Sequence, residues 1–122
     1  MLKIAEQDTP YIHLSDTECN FEIKGNSYSV LIDDIYNEVN LWIDEHFPVI
    51  DCEIIWKFHF EMISSASIKG IIKVIETLDK FFNQGKNIKI TWISQGNDTD
   101  IIEIGEDLTE LTSVPFDFVQ RY

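Results

Sequence analysis

The chain has 122 residues, of which 22 are Asp or Glu and 9 are Lys or Arg, so its formal net charge is -13. Hydrophobic residues make up 44% and aromatic residues 12%, which supplies a core for one small domain and excludes disorder over most of the length. Nucleic acids and anionic membranes favour clustered Lys and Arg. Because Arg121 is the sole arginine, neither is expected as a partner, and a basic protein surface fits the charge better.

No apolar run approaches the roughly 20 residues that cross a bilayer. The opening Met1–Glu6 also lacks the apolar stretch of a secretion signal, so we expect a cytoplasmic protein. Cys19 and Cys52 are far apart and form no CxxC spacing, which suggests neither a disulfide framework nor a zinc site. We expect both to be buried as small apolar side chains.

The first predicted elements are the short strands Tyr11–Leu14 and Cys19–Lys24, the second from its alternation of apolar and polar residues. Gly25 and Asn26 then indicate a turn, and Ser27–Val30 can continue the hairpin or meander.

A helix is predicted over Ile32–Phe47, where apolar residues recur at helical spacing. Asp33 and Asp34 suit the positive end of its dipole, and Pro48 marks its end.

The remaining predicted elements alternate between strand and helix: Asp51–Ile63, Ala66–Asn83, Ile88–Trp92, Asp98–Leu111 and Val114–Val119. The first is a long strand with one dry face, and Gly105 is expected to interrupt the last helix, Asp98–Leu111. This order predicts an α/β fold, a single-domain mixed β-sheet with helices packed against it, spanning residues 1–122 and ordered from about 9 to 119. The layout resembles the STAS-like (anti-anti-sigma-factor) domains.

The junction between the long strand and the following helix is the most informative segment. Ser64, Ser65 and Ser67 place three hydroxyls where a helix begins. One interpretation is that Ser64 or Ser65 is an ordinary N-cap. The other is that one of these hydroxyls is phosphorylated, because a phosphate at a helix N-terminus meets unpaired N–H donors and a favourable dipole. The two interpretations are compatible.

The segment Phe60–Phe116 resembles the SiaC-type regulatory phosphoproteins of bacterial biofilm signalling. The junction of that family reads Tyr-Leu-Asn-Thr-Ser-Ser-x-Lys, and Met62–Lys69 matches it, with Ser64 for the family's Asn and Ala66 for its next Ser. The further matches are Thr9-Pro10, Gly25–Tyr28, Gly85, Trp92, Glu103–Asp107 and Ser113–Phe116. Ser29-Val30 replaces the family's Pro-Glu.

The resemblance implies a non-enzymatic switch protein without a cofactor. A Ser/Thr kinase of the anti-sigma-factor type phosphorylates it, a PP2C-like phosphatase reverses this, and the unmodified form binds and activates a diguanylate cyclase. The phospho-acceptor of the family falls on Ser65. Ser64, Ser67 and Lys69 are the partner-binding residues that the resemblance implies, and Lys69 can also contact the kinase or its nucleotide.

Other interpretations are of a different class. His59 and Glu61 share the polar face of the long strand, so they are either a partly exposed pair or a metal or acid-base site. The acidic segment Asp98–Glu110 is either a solvated face or a docking site for a basic partner, and its order of residues does not match a calcium loop. The alternative function is a STAS-like module that binds a small ligand or a protein without being phosphorylated.

Overall fold

The computed structural model describes all residues from Met1 to Tyr122. Its elements are β1 (Leu2–Lys3), β2 (Tyr11–His13), β3 (Asn20–Ser27), α1 (Ile32–His46), a 3-10 turn (Phe47–Val49), β4 (Ile54–Ile63), α2 (Ser65–Asn83), β5 (Ile88–Gln95), α3 (Thr99–Thr109) and β6 (Phe116–Arg121). The predicted α/β class and the alternation of helices with strands are confirmed. Strand β1 and the end of β6 lie outside the range of about 9–119 in which order was expected.

The six strands form one mixed sheet in the order β1-β2-β3-β4-β5-β6. The pairs β1–β2 and β2–β3 are antiparallel, and the pairs from β3 to β6 are parallel. Each helix crosses from one parallel strand to its neighbour, and right-handed crossovers in a single direction place all three helices on one face. The helices therefore all begin at the same end of the sheet, where the parallel strands terminate.

The core lies between this face and the helices. On β4, Trp56, Phe58 and Phe60 are fully buried, as the period-2 pattern predicts. The prediction of a dry face from Cys52 to Met62 is wrong at both ends. Strand β4 begins only at Ile54, and Met62 is 62% exposed.

Two glycines have roles that differ from the prediction. Gly25 does not end the strand: it stays within β3 at φ +102, beside an irregularity in the register with β4, which is the positive φ that glycine tolerates at a bulge. Gly105 does not interrupt α3. It is buried inside the helix, and a Cβ there would lie 2.5 Å from the Trp92 indole, so glycine lets the helix approach the sheet.

The prediction that both cysteines are buried is wrong. Cys52 is exposed, Cys19 is half-buried, and the two are joined by a disulfide. Both residues precede the strands to which the alternating pattern assigned them, so they lie in loops at the sheet end opposite the helix starts. None of the helices is long and apolar enough to span a membrane.

Candidate functional site

The β4–α2 corner (Ser64–Ser67) is a tight transition in which a single residue separates strand from helix. Ser64 has an extended backbone, and its Oγ accepts the N–H of Ser67 at 3.1 Å. Ser64 is therefore the N-cap, one of the two residues that the sequence suggested for this role. The Ser64 N–H donates to the carbonyl of Ser27 at 3.0 Å, which attaches the corner to the end of β3.

Beneath this corner lies a chain of buried hydroxyls. The Ser67 Oγ accepts hydrogen bonds from the hydroxyls of Ser64, at 3.1 Å, and Ser27, at 2.8 Å. The Ser67 hydroxyl itself donates to the Ser27 carbonyl. Because the Ser27 proton points to Ser67, the Tyr36 hydroxyl is the donor in its 2.9 Å bond with Ser27. The chain thus connects α2, β3 and α1.

Tyr36 is suited to this donor role because it stays protonated. Burial raises the pKa of Tyr36 far above its usual range, although the hydrogen bond with Ser27 acts in the opposite direction. Its ring also lies against Gly70, where a Cβ would come within 2.4 Å of the ring. Tyr36 therefore holds α1 against the first turns of α2.

Ser65 differs from its two neighbouring serines, Ser64 and Ser67. It is the first residue of α2, its side chain is exposed, and its hydroxyl makes no hydrogen bond. Lys69, one turn later on the same side of the helix, is also exposed and forms no ion pair. The structure thus places Ser65 and Lys69 at the surface, leaves Ser64 half-buried and buries Ser67 completely. The Ser67 hydroxyl therefore contacts its neighbours and not the solvent.

The electrostatics of the corner are unusual for so acidic a chain. The first turn of α2 contains no acidic residue, whereas that of α1 contains Asp33 and Asp34 and that of α3 contains Asp100. The N–H groups of the first helical residues lack intrahelical acceptors. The positive end of the α2 dipole is therefore not balanced by a carboxylate on its own first turn.

Exposed apolar side chains lie at the same end of the sheet as the corner. Val30 is 98% exposed and Leu31 60% exposed in the β3–α1 loop, and Met62 is 62% exposed near the end of β4. Together with Ser65 and Lys69 these residues form the corner surface. Sequence reasoning did not select Val30 and Leu31 for it, although two large apolar residues between a strand and a helix were the available signal.

The opposite face of the sheet carries the pair His59 and Glu61. They line an open groove of about 410 Å³ together with Lys24 and Arg121. Burial, followed by the nearby Arg121, lowers the pKa of His59. No group of three or more His, Cys, Asp or Glu side chains is arranged to hold a metal ion.

The acidic segment forms helix α3, whose N-cap is Asp98. Its side chain accepts the N–H of Ile101 at 3.2 Å. Glu103, Glu106 and Asp107 are exposed, so the acidic side of α3 is a solvated surface in the isolated chain.

The model of the SiaC family regulatory phosphoproteins matches residues 4–121. The chain belongs to the SiaC family. This membership and the STAS-like fold confirm the predictions made from the junction motif and the order of elements. A comparison with curated proteins found no match.

Solved structures of SiaC from Pseudomonas aeruginosa share the fold. Apo-SiaC has 18% sequence identity and a TM-score of 0.87, with 98% of this chain and 97% of that chain covered. The structure of the diguanylate cyclase SiaD in complex with its activator SiaC has 17% identity and a TM-score of 0.92, with 99% of each chain covered. A further SiaC structure has 17% identity and a TM-score of 0.90, covering 99% of this chain and 98% of that one.

Proposed function

We propose that this SiaC-family chain is a non-enzymatic switch whose unphosphorylated form binds and activates a diguanylate cyclase, and that Ser65 is its phospho-acceptor. The cyclase as partner is inferred from the P. aeruginosa complex of SiaD with its activator SiaC. The observation that carries the assignment of Ser65 is that, of the three hydroxyls at the corner, only that of Ser65 is both exposed and free of hydrogen bonds.

The neighbouring serines are poorer acceptors for physical reasons. The Ser64 Oγ is occupied as the helix cap, so modification there would remove the cap at a cost of about 1 kcal/mol. Ser67 is inaccessible to a kinase, because its side chain is fully buried and its hydroxyl already donates to Ser27. A kinase can reach Ser65 without disturbing either bond.

A phosphate on Ser65 is compatible with the isolated chain and unfavourable in a complex. In the free protein the dianion meets the free end of the α2 dipole and the cation of Lys69. A partner seated on the corner surface, with its apolar Val30 and Met62, would remove water from that dianion. Lys69 offsets only part of the phosphate charge, and desolvation of the unpaired remainder costs several kcal/mol, more than the roughly 1.4 kcal/mol that changes affinity tenfold. Phosphorylation therefore releases the cyclase.

The enzymes that set the phosphorylation state are proposed from the family resemblance. They are a Ser/Thr kinase of the anti-sigma-factor type and a PP2C-like phosphatase. The half-buried Ser64 and the exposed Lys69, both beside Ser65, are proposed as contacts for the partners. Ser67 contributes indirectly, since it holds the Ser64 side chain in place.

The test is a titration of a purified diguanylate cyclase with variants of the full chain, measuring both affinity and cyclase rate. Ser65→Ala should bind and activate like the unmodified chain, while Ser65→Asp should lose at least tenfold in affinity. The matched control is Thr99→Asp, which places the same carboxylate at the equivalent first position of α3 and should leave binding unchanged. Unchanged affinity in Ser65→Asp would contradict the proposal.

Intact mass spectrometry of the chain from its own cells, with and without phosphatase treatment, tests the modification directly. A phosphate that maps to Ser65 and is absent from Ser65→Ala is the expected result. A chain that carries no phosphate under any growth condition would instead support a STAS-like module that binds its ligand or partner without being phosphorylated.

A further inference from the structure

Two sulfur-bearing residues lie at the end of the sheet opposite Ser65. Cys19 directly precedes β3, and Cys52 lies in the loop before its parallel neighbour β4. The Ile55 N–H donates to the Cys19 carbonyl at 2.8 Å, so the backbone itself holds these segments side by side. The two Cα atoms are 6.3 Å apart, within the range of about 4.4–6.8 Å that a disulfide requires. The fold therefore brings the sulfurs together without rearrangement.

The two cysteines differ in access. Cys52 is exposed in its loop, whereas Cys19 is half-buried. Because Cys52 is the more exposed of the two, it is the sulfur that a small-molecule disulfide reaches first.

We propose that Cys19 and Cys52 are a reversible redox modification site, oxidised by exchange with a small-molecule disulfide such as oxidised glutathione. The Cys52 thiolate attacks one sulfur of glutathione disulfide, which forms a mixed disulfide and releases one glutathione thiol. The Cys19 thiolate then attacks the Cys52 sulfur, which forms the intramolecular bridge and releases the second glutathione thiol. The two cysteine protons leave with the two departing thiols, so the exchange is balanced.

The bridge acts on stability and not on the corner surface. It closes the segment that contains β3, α1 and the 3-10 turn, and closing such a loop restricts the unfolded chain. Strand β3 separates Cys19 from the Ser65 corner by about 25 Å, at roughly 3.3 Å per residue. Oxidation should therefore stabilise the β3–α1–β4 unit without altering the surface that carries Ser65, and this inference does not depend on the proposed function.

The experiment equilibrates the full chain in glutathione buffers of increasing oxidation, blocks free thiols with an alkylating reagent and weighs the intact protein. We expect one intramolecular bridge per chain, which takes up no alkyl group and is fully reversed by dithiothreitol. Cys19→Ser should stop at a glutathione adduct on Cys52, and Cys52→Ser should react more slowly because Cys19 is half-buried.

Thermal unfolding of the same samples provides the second readout. Oxidation should raise the Tm of the natural chain by roughly 10 °C, and it should leave the double variant Cys19→Ser/Cys52→Ser unchanged. Either of two results would overturn the proposal: oxidation that gives only glutathione adducts or covalent dimers, or an intramolecular bridge that leaves the Tm where it was.

Discussion

Helices α2 and α3 begin at the same end of the sheet and with the same kind of cap, yet their charges differ. At the β4–α2 corner Ser64 caps the Ser67 N–H, and at the β5–α3 corner Asp98 caps the Ile101 N–H. The α3 corner has a permanent carboxylate in its cap and another in Asp100. The α2 corner has only neutral hydroxyls, so a negative charge there has to be added by modification.

The difference shows what distinguishes a switchable helix start from a static one. A fixed carboxylate already occupies the favourable end of the α3 dipole, so a further anion would meet like charge. The N-cap and first turn of α2 contain no carboxylate, and the first helical residue, Ser65, has a free hydroxyl. The two corners also differ in their support, because only the α2 corner rests on a buried chain of hydroxyls.

The largest expected loss of stability is at the two glycines, Gly70 and Gly105, at which α2 and α3 pack closely against their neighbours. A Cβ at Gly70 would lie 2.4 Å from the Tyr36 ring, and one at Gly105 would lie 2.5 Å from Trp92. Both Gly70→Ala and Gly105→Ala should lower the free energy of unfolding by about 3 kcal/mol through overpacking, measured by urea titration. Lys73→Ala, on the exposed side of α2, is the control and should be nearly neutral.

The same two variants also test which of the two corners supports cyclase binding. Gly70→Ala should also weaken cyclase binding, because the displaced Tyr36 donates to Ser27 beneath the corner. Gly105→Ala should leave binding intact in conditions where the variant remains folded. Equal binding by the two variants would mean that the Tyr36 contact does not position the Ser65 surface.

The second largest loss of stability is expected at Ser67, and the buried Ser94 near the end of β5 provides the comparison. Ser67→Ala removes the acceptor of the Ser27 and Ser64 hydroxyls, so it should cost about 2 kcal/mol in the free energy of unfolding. Ser94 is buried at the end of β5 but its side chain makes no hydrogen bond in the structure, so Ser94→Ala should change stability little. Chemical denaturation of both variants checks the contrast, which disappears if the hydroxyl chain is not formed in solution.

Much of this corner could be predicted from local sequence signals. The change from a period of two to a helical period located the strand-helix junction. Hydroxyls at a helix start predicted a cap at Ser64 or Ser65, and the structure assigns it to Ser64. The burial of Ser67 also had a signal, because it lies on the same stripe of α2 as Ile71 and Val74. The resemblance to a family motif drew attention instead to its hydroxyl as a surface group.

Other features depended on contacts between distant segments. In the sequence, Tyr36 has the pattern of an ordinary residue on the apolar face of α1. Its hydroxyl reaches Ser27 only because Gly70 lets α2 pack against the Tyr36 ring. The pairing of Cys19 with Cys52 likewise requires β3 and β4 to be adjacent and in register. Neither fact is encoded in the spacing of residues along the chain.

The smallest expected effect is the change in stability caused by a single negative charge at the first position of α2 or α3. Ser65→Asp should stabilise the free chain by about 0.5 kcal/mol, because the carboxylate lies at the unbalanced end of the α2 dipole. Thr99→Asp should give no gain, because Asp98 and Asp100 already flank that position. The dipole lowers the folded-state pKa of the introduced carboxyl, so its stabilisation is present above the unfolded value near 4 and is lost as pH falls through the folded value.

Thermal unfolding at low and high salt checks this contrast, since salt screens the dipole term. An equal gain at both helix starts would remove the electrostatic distinction between the corners. If the distinction holds, one substitution has opposite effects: Ser65→Asp stabilises the free chain and weakens its complex with the cyclase. A merely disrupted corner would lower both quantities, so the opposite signs separate a charge switch from local unfolding.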